Sequence, residues 1–266
     1  LRYGRRGRQW ETAFGKVLPG DKARRIESAS PRLNVAGRRV PLAMPAGQVG
    51  EDGFVFPAMG GRSLRDLLVR GGSLPSARRV ADLPLTLAAE VEEARVDGLA
   101  DRMATVDLAR SAAGLVRHLV PWFAGDADRI VEAASAGADR DPRRPGIVHG
   151  DLYEAQIFVG EGYRLGLIDL DDLGRGDAAL DAANFCAHLL ALAMAVPSAA
   201  DRLVAYRRLV RPAFARALDV PVSSLAWREA VCMLLLAAGP FRVLDPSWPA
   251  EVGRRVALAV RLLEDP

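Results

Sequence analysis

Residues 147–181, IVHGDLYEAQIFVGEGYRLGLIDLDDLGRGDAALD, set the tightest limits on the fold. Two short apolar runs, 156–159 and 164–170, flank Gly-Glu-Gly and read as a β-hairpin. Such runs belong in or beside a core. Yet His149 and Asp151 precede them, and Asp169, Asp171 and Asp172 follow. Burying carboxylates is costly unless something pairs with them, so this bracket marks a site rather than a solvated surface. A hairpin also turns the chain back on itself, which brings Asp151 and Asp169 to the same end.

The rest of the chain divides around that segment. Up to about residue 60 the pattern is mixed. β-suitable runs at 10–18 and 53–59 flank a short helix at 21–28, with Asp21 near its N-cap. From residue 62 to 138, and again from 178 onward, apolar residues recur at helical spacing. These patterns predict an α+β chain in two lobes, a small β-rich lobe over 1–59 and a larger, mainly helical lobe over 60–266, joined near 57–62.

Composition removes several classes of function. Half of the 266 residues are hydrophobic, enough for a sizeable core. The 36 basic side chains barely exceed the 33 acidic ones and the arginines are dispersed, which argues against a nucleic-acid partner. The longest apolar run, 182–196, contains Asn184 and His188 and predicts a buried helix, not a membrane span. Cys186 and Cys232 sit in apolar runs, as reduced core thiols of a cytoplasmic protein would, and no apolar leader follows the basic first residues. Lys16 and Lys22 are the only lysines, so each has to be accounted for.

Phosphoryl transfer from a nucleotide needs an acceptor-orienting carboxylate, oxygen ligands for Mg2+ and a cation on the phosphates. The spacing His149-Gly150-Asp151, an amide at Gln156, an apolar hairpin and Ile168-Asp169 resembles the catalytic core of the aminoglycoside phosphotransferase family of small-molecule kinases, relatives of protein kinases. The GRGDAALDAA that follows is similar to the family's G-x-G-D-P-x-x-D-L-A segment. The resemblance is strongest over 147–185 and extends more loosely to 8–70.

It implies a two-lobed protein-kinase-like fold, ATP or GTP as donor, and Mg2+. By resemblance, Asp151 is the catalytic base or orienting group, His149 a scaffold of the catalytic loop, and Asp169 the main metal ligand. Gln156 stands where the family has Asn and offers a side-chain oxygen to the metal. Lys16 would contact the nucleotide phosphates, with Glu27 as its ion-pair partner on the next helix. The adenine would meet backbone groups of Phe56, Ala58 and Met59, with Val55 and Met59 as apolar walls. YGRRGRQ would be a shortened phosphate-covering loop.

Asp171 and Asp172 fit either a solvated turn or the surroundings of the metal. Asp177 and Asp181 read as helix cap or loop brace, and Lys22 as exposed. The chain passes from Asp169 almost directly into a helix, with no activation-loop insertion, so the expected acceptor is a small-molecule hydroxyl: an aminoglycoside, a sugar or another natural product. The alternative is a nucleotide-binding kinase-like module impaired in catalysis. For amine-bearing acceptors, Asp201, Asp219, Glu229, Asp245 and Glu251 are the available carboxylates.

Overall fold

A computed structural model describes residues 12–36, 39–141 and 145–264. Its N-terminal part is a three-stranded antiparallel sheet in the order β1 (Ala13–Val17), β3 (Gly53–Pro57), β2 (Gly47–Val49), with helix α1 (Gly20–Ala36) between β1 and β2. Helix α1 is longer than the expected 21–28. Pro31 costs it a backbone hydrogen bond, but Ala23, Ile26, Ala29 and Leu33 recur every three or four residues and are all buried. Packing of that stripe carries the helix past the proline.

The connection to the helical part runs through residues 58–61 into β4 (Arg62–Ser63), which pairs with β7 (Ile157–Val159). Gly61 has φ +99°, and a Cβ there would lie 2.3 Å from the Val159 carbonyl oxygen. Only glycine fits such a close backbone approach. Ser63 then caps α2 (Leu64–Arg70) by accepting the Asp66 N–H at 3.1 Å.

Beyond α2 follow α3 (Ala77–Ala81), α4 (Leu83–Glu93), β5 (Ala100–Asp101), α5 (Thr105–Leu119) and α6 (Ala124–Arg140). Next come β6 (Pro145–Val148), the hairpin β7/β8 (Leu165–Leu167) and β9 (Gly174–Asp177), which joins β6 antiparallel and β5 parallel. The hairpin lies within the expected runs 156–159 and 164–170, and its register is Ile157↔Leu167 and Val159↔Leu165. Helices α7 (Ala178–Ala195), α8 (Ala200–Ala217), α9 (Val222–Ala237), α10 (Gly239–Arg242) and α11 (Trp248–Glu264) complete the chain.

Helix α7 has the length and mean hydropathy of a membrane span, but it packs against α8 and α9 in the centre of the helical part. A helix covered on both sides is apolar nearly all round. One apolar cluster joins α1, the hairpin, α2 to α4 and α8 to one flank of α7; a second joins α5, α6, α9 and α11 to the other. The hairpin is also stitched to the N-terminal part: Leu167 donates its N–H to the Pro41 carbonyl and accepts the Ala43 N–H, both at 2.8 Å.

Candidate active site

Strand β6 delivers His149-Gly150-Asp151 into a tight turn. Gly150 adopts φ +85°, and a Cβ there would stand 2.3 Å from the Asp172 carbonyl oxygen. The glycine thus lets the loop press against the far end of the hairpin. Asp181, on the first turn of α7, braces the same turn by accepting the His149 N–H at 2.7 Å and the Gly150 N–H at 3.0 Å. Burial pushes the Asp181 carboxyl up to about 7, against the lowering effect of those two hydrogen bonds.

The His149 ring is buried, and its Nε2–H donates to the Ile168 carbonyl at 2.9 Å. Burial lowers its pKa and keeps the ring neutral, with Nδ1 enclosed and unpartnered among the described residues. The imidazole thus ties the loop to the hairpin.

After β8 the chain turns sharply at Asp169, a left-handed residue at φ 63°, ψ 56°. Its carboxylate accepts Lys16 Nζ at 2.5 Å and Gln156 Nε2 at 3.0 Å. Lys16 also forms an ion pair with Asp171. Burial opposes the charged form of both Lys16 and Asp169, but their pairing outweighs it: the Lys16 pKa is raised and the Asp169 pKa lowered. Asp171 is more deeply buried, its pKa is raised by burial, and its Oδ1 has no hydrogen-bond partner among the described residues.

Among the described residues, no cluster of three His, Cys, Asp or Glu side chains forms a metal cage of its own. Mg2+ does not ask for one, since it commonly binds through one or two carboxylates together with substrate phosphates. Asp169 and the orphaned oxygen of Asp171 fit that role. Gln156 differs from expectation: it engages Asp169 through its amide N–H, and a half turn of the terminal amide is needed to offer its oxygen instead.

A cavity of about 350 Å³ opens beside this cluster. Met59 lines it, together with Phe14, Ala43, Phe56, Phe158 and Ile168. Val55 does not line it. Side chains alternate along a strand, and Val55 is one residue out of phase with Phe54 and Phe56. The Ala58 N–H is engaged by the Thr12 carbonyl at 3.2 Å, whereas the Met59 N–H makes no backbone hydrogen bond among the described residues.

Glu27 is also corrected. It is exposed, because it follows Ile26 on α1 and is rotated about 100° from that inward residue. Lys16 pairs across to the hairpin instead. Lys22, expected to be exposed, is drawn in: its Nζ donates to Asp172 at 2.8 Å, and Arg102 holds the other oxygen at 2.7 Å. The YGRRGRQ segment lies outside the described residues.

Asp151 faces a second cavity, of about 250 Å³. Among the described residues its only close side-chain partner is Asn184 on α7, whose Nδ2 donates to Asp151 at 3.3 Å and to the Leu152 carbonyl at 3.2 Å. Burial raises the Asp151 pKa, with the Asn184 hydrogen bond opposing it. Asp169, which lines the first cavity, is near enough to act on Asp151 electrostatically. Asp177 caps α7 through the Ala179 N–H at 3.0 Å and pairs with Arg228 at 2.6 Å. Asp201, Asp219, Glu229, Asp245 and Glu251, the carboxylates available to an amine acceptor, are not among the residues lining the cavity. Glu229, for one, is fully buried between Arg207 and Arg211.

A family model described as the phosphotransferase enzyme family matches residues 21–221, a span that begins after Lys16. No curated protein matches the sequence. Among solved structures, a choline/ethanolamine kinase family protein from Mesorhizobium loti aligns with TM-score 0.65 and 13% identity, over 96% of this chain and 83% of that one. Choline kinase from Cryptosporidium parvum gives 0.60 and 10%, over 98% and 84%. APH(2")-IIia, solved with GDP and kanamycin, gives 0.58 and 17%, over 93% and 86%. At these identities the likeness establishes the two-lobed kinase-like fold.

Proposed function

The chain belongs to the phosphotransferase enzyme family, and from that premise we propose that it transfers the terminal phosphoryl group of ATP or GTP, with Mg2+, to a hydroxyl of a small molecule. The observation that carries this reading is the placing of two cavities about one hairpin end: Lys16, Asp169 and Asp171 line one, and Asp151 lines the other together with Gly150, which packs against Asp172. Nucleotide-bearing neighbours such as APH(2")-IIia with GDP support the choice of donor.

In this reading residues 1–59 form the nucleotide lobe and 60–266 the lobe that binds acceptor and carries out transfer. The base lies between Phe56, Met59, Phe158 and Ile168, with the Met59 N–H as its backbone donor. Lys16 binds the phosphates, exchanging its carboxylate partners for phosphate oxygens. Asp169, Asp171 and, after its amide turns, Gln156 hold the metal, which when bound neutralises charge on the phosphate oxygens.

Asp151 accepts the hydrogen bond of the acceptor hydroxyl and takes its proton as the oxygen bonds to phosphorus. The bond from phosphorus to the bridging oxygen breaks, and the nucleoside diphosphate leaves. Neutral His149, Gly150 and Asp181 keep the Asp151 loop against the hairpin.

The test is Mg2+-dependent nucleotide turnover over a panel of hydroxyl compounds, comparing wild type with Asp151→Asn. Acceptor-stimulated turnover confined to wild type is expected. Nucleotide binding with no acceptor turned over faster than in Asp151→Asn would favour a binding module without catalysis.

A further inference from the structure

The cavity on the Asp151 side limits which acceptors fit, an inference that rests on the kinase reading and narrows it. Its volume of about 250 Å³ is below the roughly 300–1,000 Å³ of pockets for drug-sized ligands. A compact acceptor is favoured. Leu108 of α5, Leu180 of α7, and Leu235 and Leu236 of α9 give it apolar walls suited to an apolar body.

The charges around it are unequal. Among the described residues three carboxylates line the cavity, and each is committed. Asp177 is held by Arg228 and the α7 cap, and Asp181 by two backbone N–H groups. Asp151 is reserved for the reacting hydroxyl. An ammonium group on the acceptor therefore finds no carboxylate to pair with.

The cations are differently placed. Arg102 is tied to Asp172, but Arg242, exposed at the end of α10, forms no ion pair among the described residues. His188 also lines the cavity; burial, and then the charges of Arg65 and Arg255, hold its pKa down to about 3, so the ring is neutral. A guanidinium matches a carboxylate in shape and charge, donating two parallel hydrogen bonds.

We propose that the acceptor is a compact hydroxy acid, with an apolar body between the leucines, its carboxylate on Arg242 and its hydroxyl on Asp151. Amino sugars carrying several ammonium groups are disfavoured by the same arrangement.

Three probes with one body separate charge from shape: para-hydroxymethyl benzoate, para-hydroxymethyl benzylamine and para-benzenedimethanol. Binding to the full chain is measured by titration, and phosphorylation is followed separately by mass. The benzoate is expected to bind wild type about tenfold tighter than the amine. Arg242→Glu should erase or invert that preference, and Arg242→Lys should keep most of it. Equal binding of the three probes, or a preference untouched by Arg242→Glu, overturns the proposal. Asp151-dependent phosphorylation of the amine in preference to the benzoate also overturns it and leaves the kinase reading standing. If no hydroxyl compound is phosphorylated in an Asp151-dependent way, the kinase reading fails, and the Arg242-dependent binding preference still decides whether this cavity selects anions.

Discussion

On the Lys16 side of the hairpin every charge is answered by another: Lys16 by Asp169 and Asp171, and Lys22 and Arg102 by Asp172. On the Asp151 side the only close side-chain partner among the described residues is a neutral amide at 3.3 Å. The first cluster draws residues from β1, α1 and the hairpin, so it exists only when both parts of the chain are folded together. The second is built within the helical part. Coupled charges make binding and chemistry inseparable on one side, while a weakly held carboxylate leaves them separable on the other. Asp169→Ala should therefore weaken nucleotide binding and lower turnover by roughly a thousandfold or more. Asp151→Asn should lower turnover by about 10²–10⁴-fold with nucleotide affinity nearly intact. Turnover kinetics paired with nucleotide titration test this, and an equal loss of affinity in both variants would erase the distinction.

Asp181 sharpens the comparison because it is buried and braces the loop through two backbone N–H groups. In Asp181→Asn one of the two N–H groups faces an amide nitrogen instead of an acceptor, a change of about 1–3 kcal/mol in stability by denaturant unfolding. The pH dependence follows from linkage. The carboxyl rises from its ordinary 3.8 to about 7 on folding, so between those values the folded chain holds the extra proton. Its contribution is complete below 3.8 and is lost as pH rises through 7. The stability of wild type relative to Asp181→Asn should accordingly fall over that window, by up to about 4 kcal/mol, enough to reverse the order of the two at its upper end. A difference independent of pH would mean that Asp181 titrates alike in both states.

The hairpin was legible because its signals are local: two apolar runs, a turn and flanking acids within a single stretch of chain. The Asp177 cap and the Asp181 brace were read for the same reason. Phases were harder. In GFVFP three consecutive apolar residues suit either face of a strand, so the sequence did not reveal that Val55 points away. The 21–28 window contains only Ala23 and Ile26 as apolar guides, and Leu33, which anchors the rotation of α1, lies beyond it. That missing phase accounts for both Glu27 and Lys22. The cavity beside Asp151 was hidden for another reason. Arg102, Leu108, His188, Leu235 and Arg242 come from separate elements, and no periodicity links them.

Gln156 tests the metal side more finely. Its N–H presently supports Asp169 at 3.0 Å, and a ligand role needs the amide turned around. Asn at this position has one methylene fewer, so it either reaches the metal with altered geometry or loses the bond to Asp169. In both cases the Mg2+ concentration for half-maximal turnover should shift severalfold, about threefold to tenfold by the scale of a single polar contact. Titrating Mg2+ at saturating nucleotide reads this directly. An unchanged dependence would place Gln156 outside the metal's reach.

The smallest effect belongs to Glu27, where protein-kinase logic and the observed geometry part company. If Lys16 needs a helix glutamate to hold it ready for the phosphates, Glu27→Ala should cost much of the activity. Here Lys16 is held by Asp169 and Asp171, and Glu27 lies on the outer side of a helix whose buried stripe includes Ile26, Ala29 and Leu33. Bringing Glu27 inward would rotate that stripe out of the core and pull Lys22 away from Asp172, exposing apolar surface worth more than the gain from one ion pair at a half-exposed lysine. Glu27→Ala should therefore keep turnover and nucleotide affinity within about twofold of wild type, the range of an exposed surface substitution. A large loss would mean that α1 turns during the reaction, and the Lys16 side would then depend on motion rather than on the fixed charge pairs described for it.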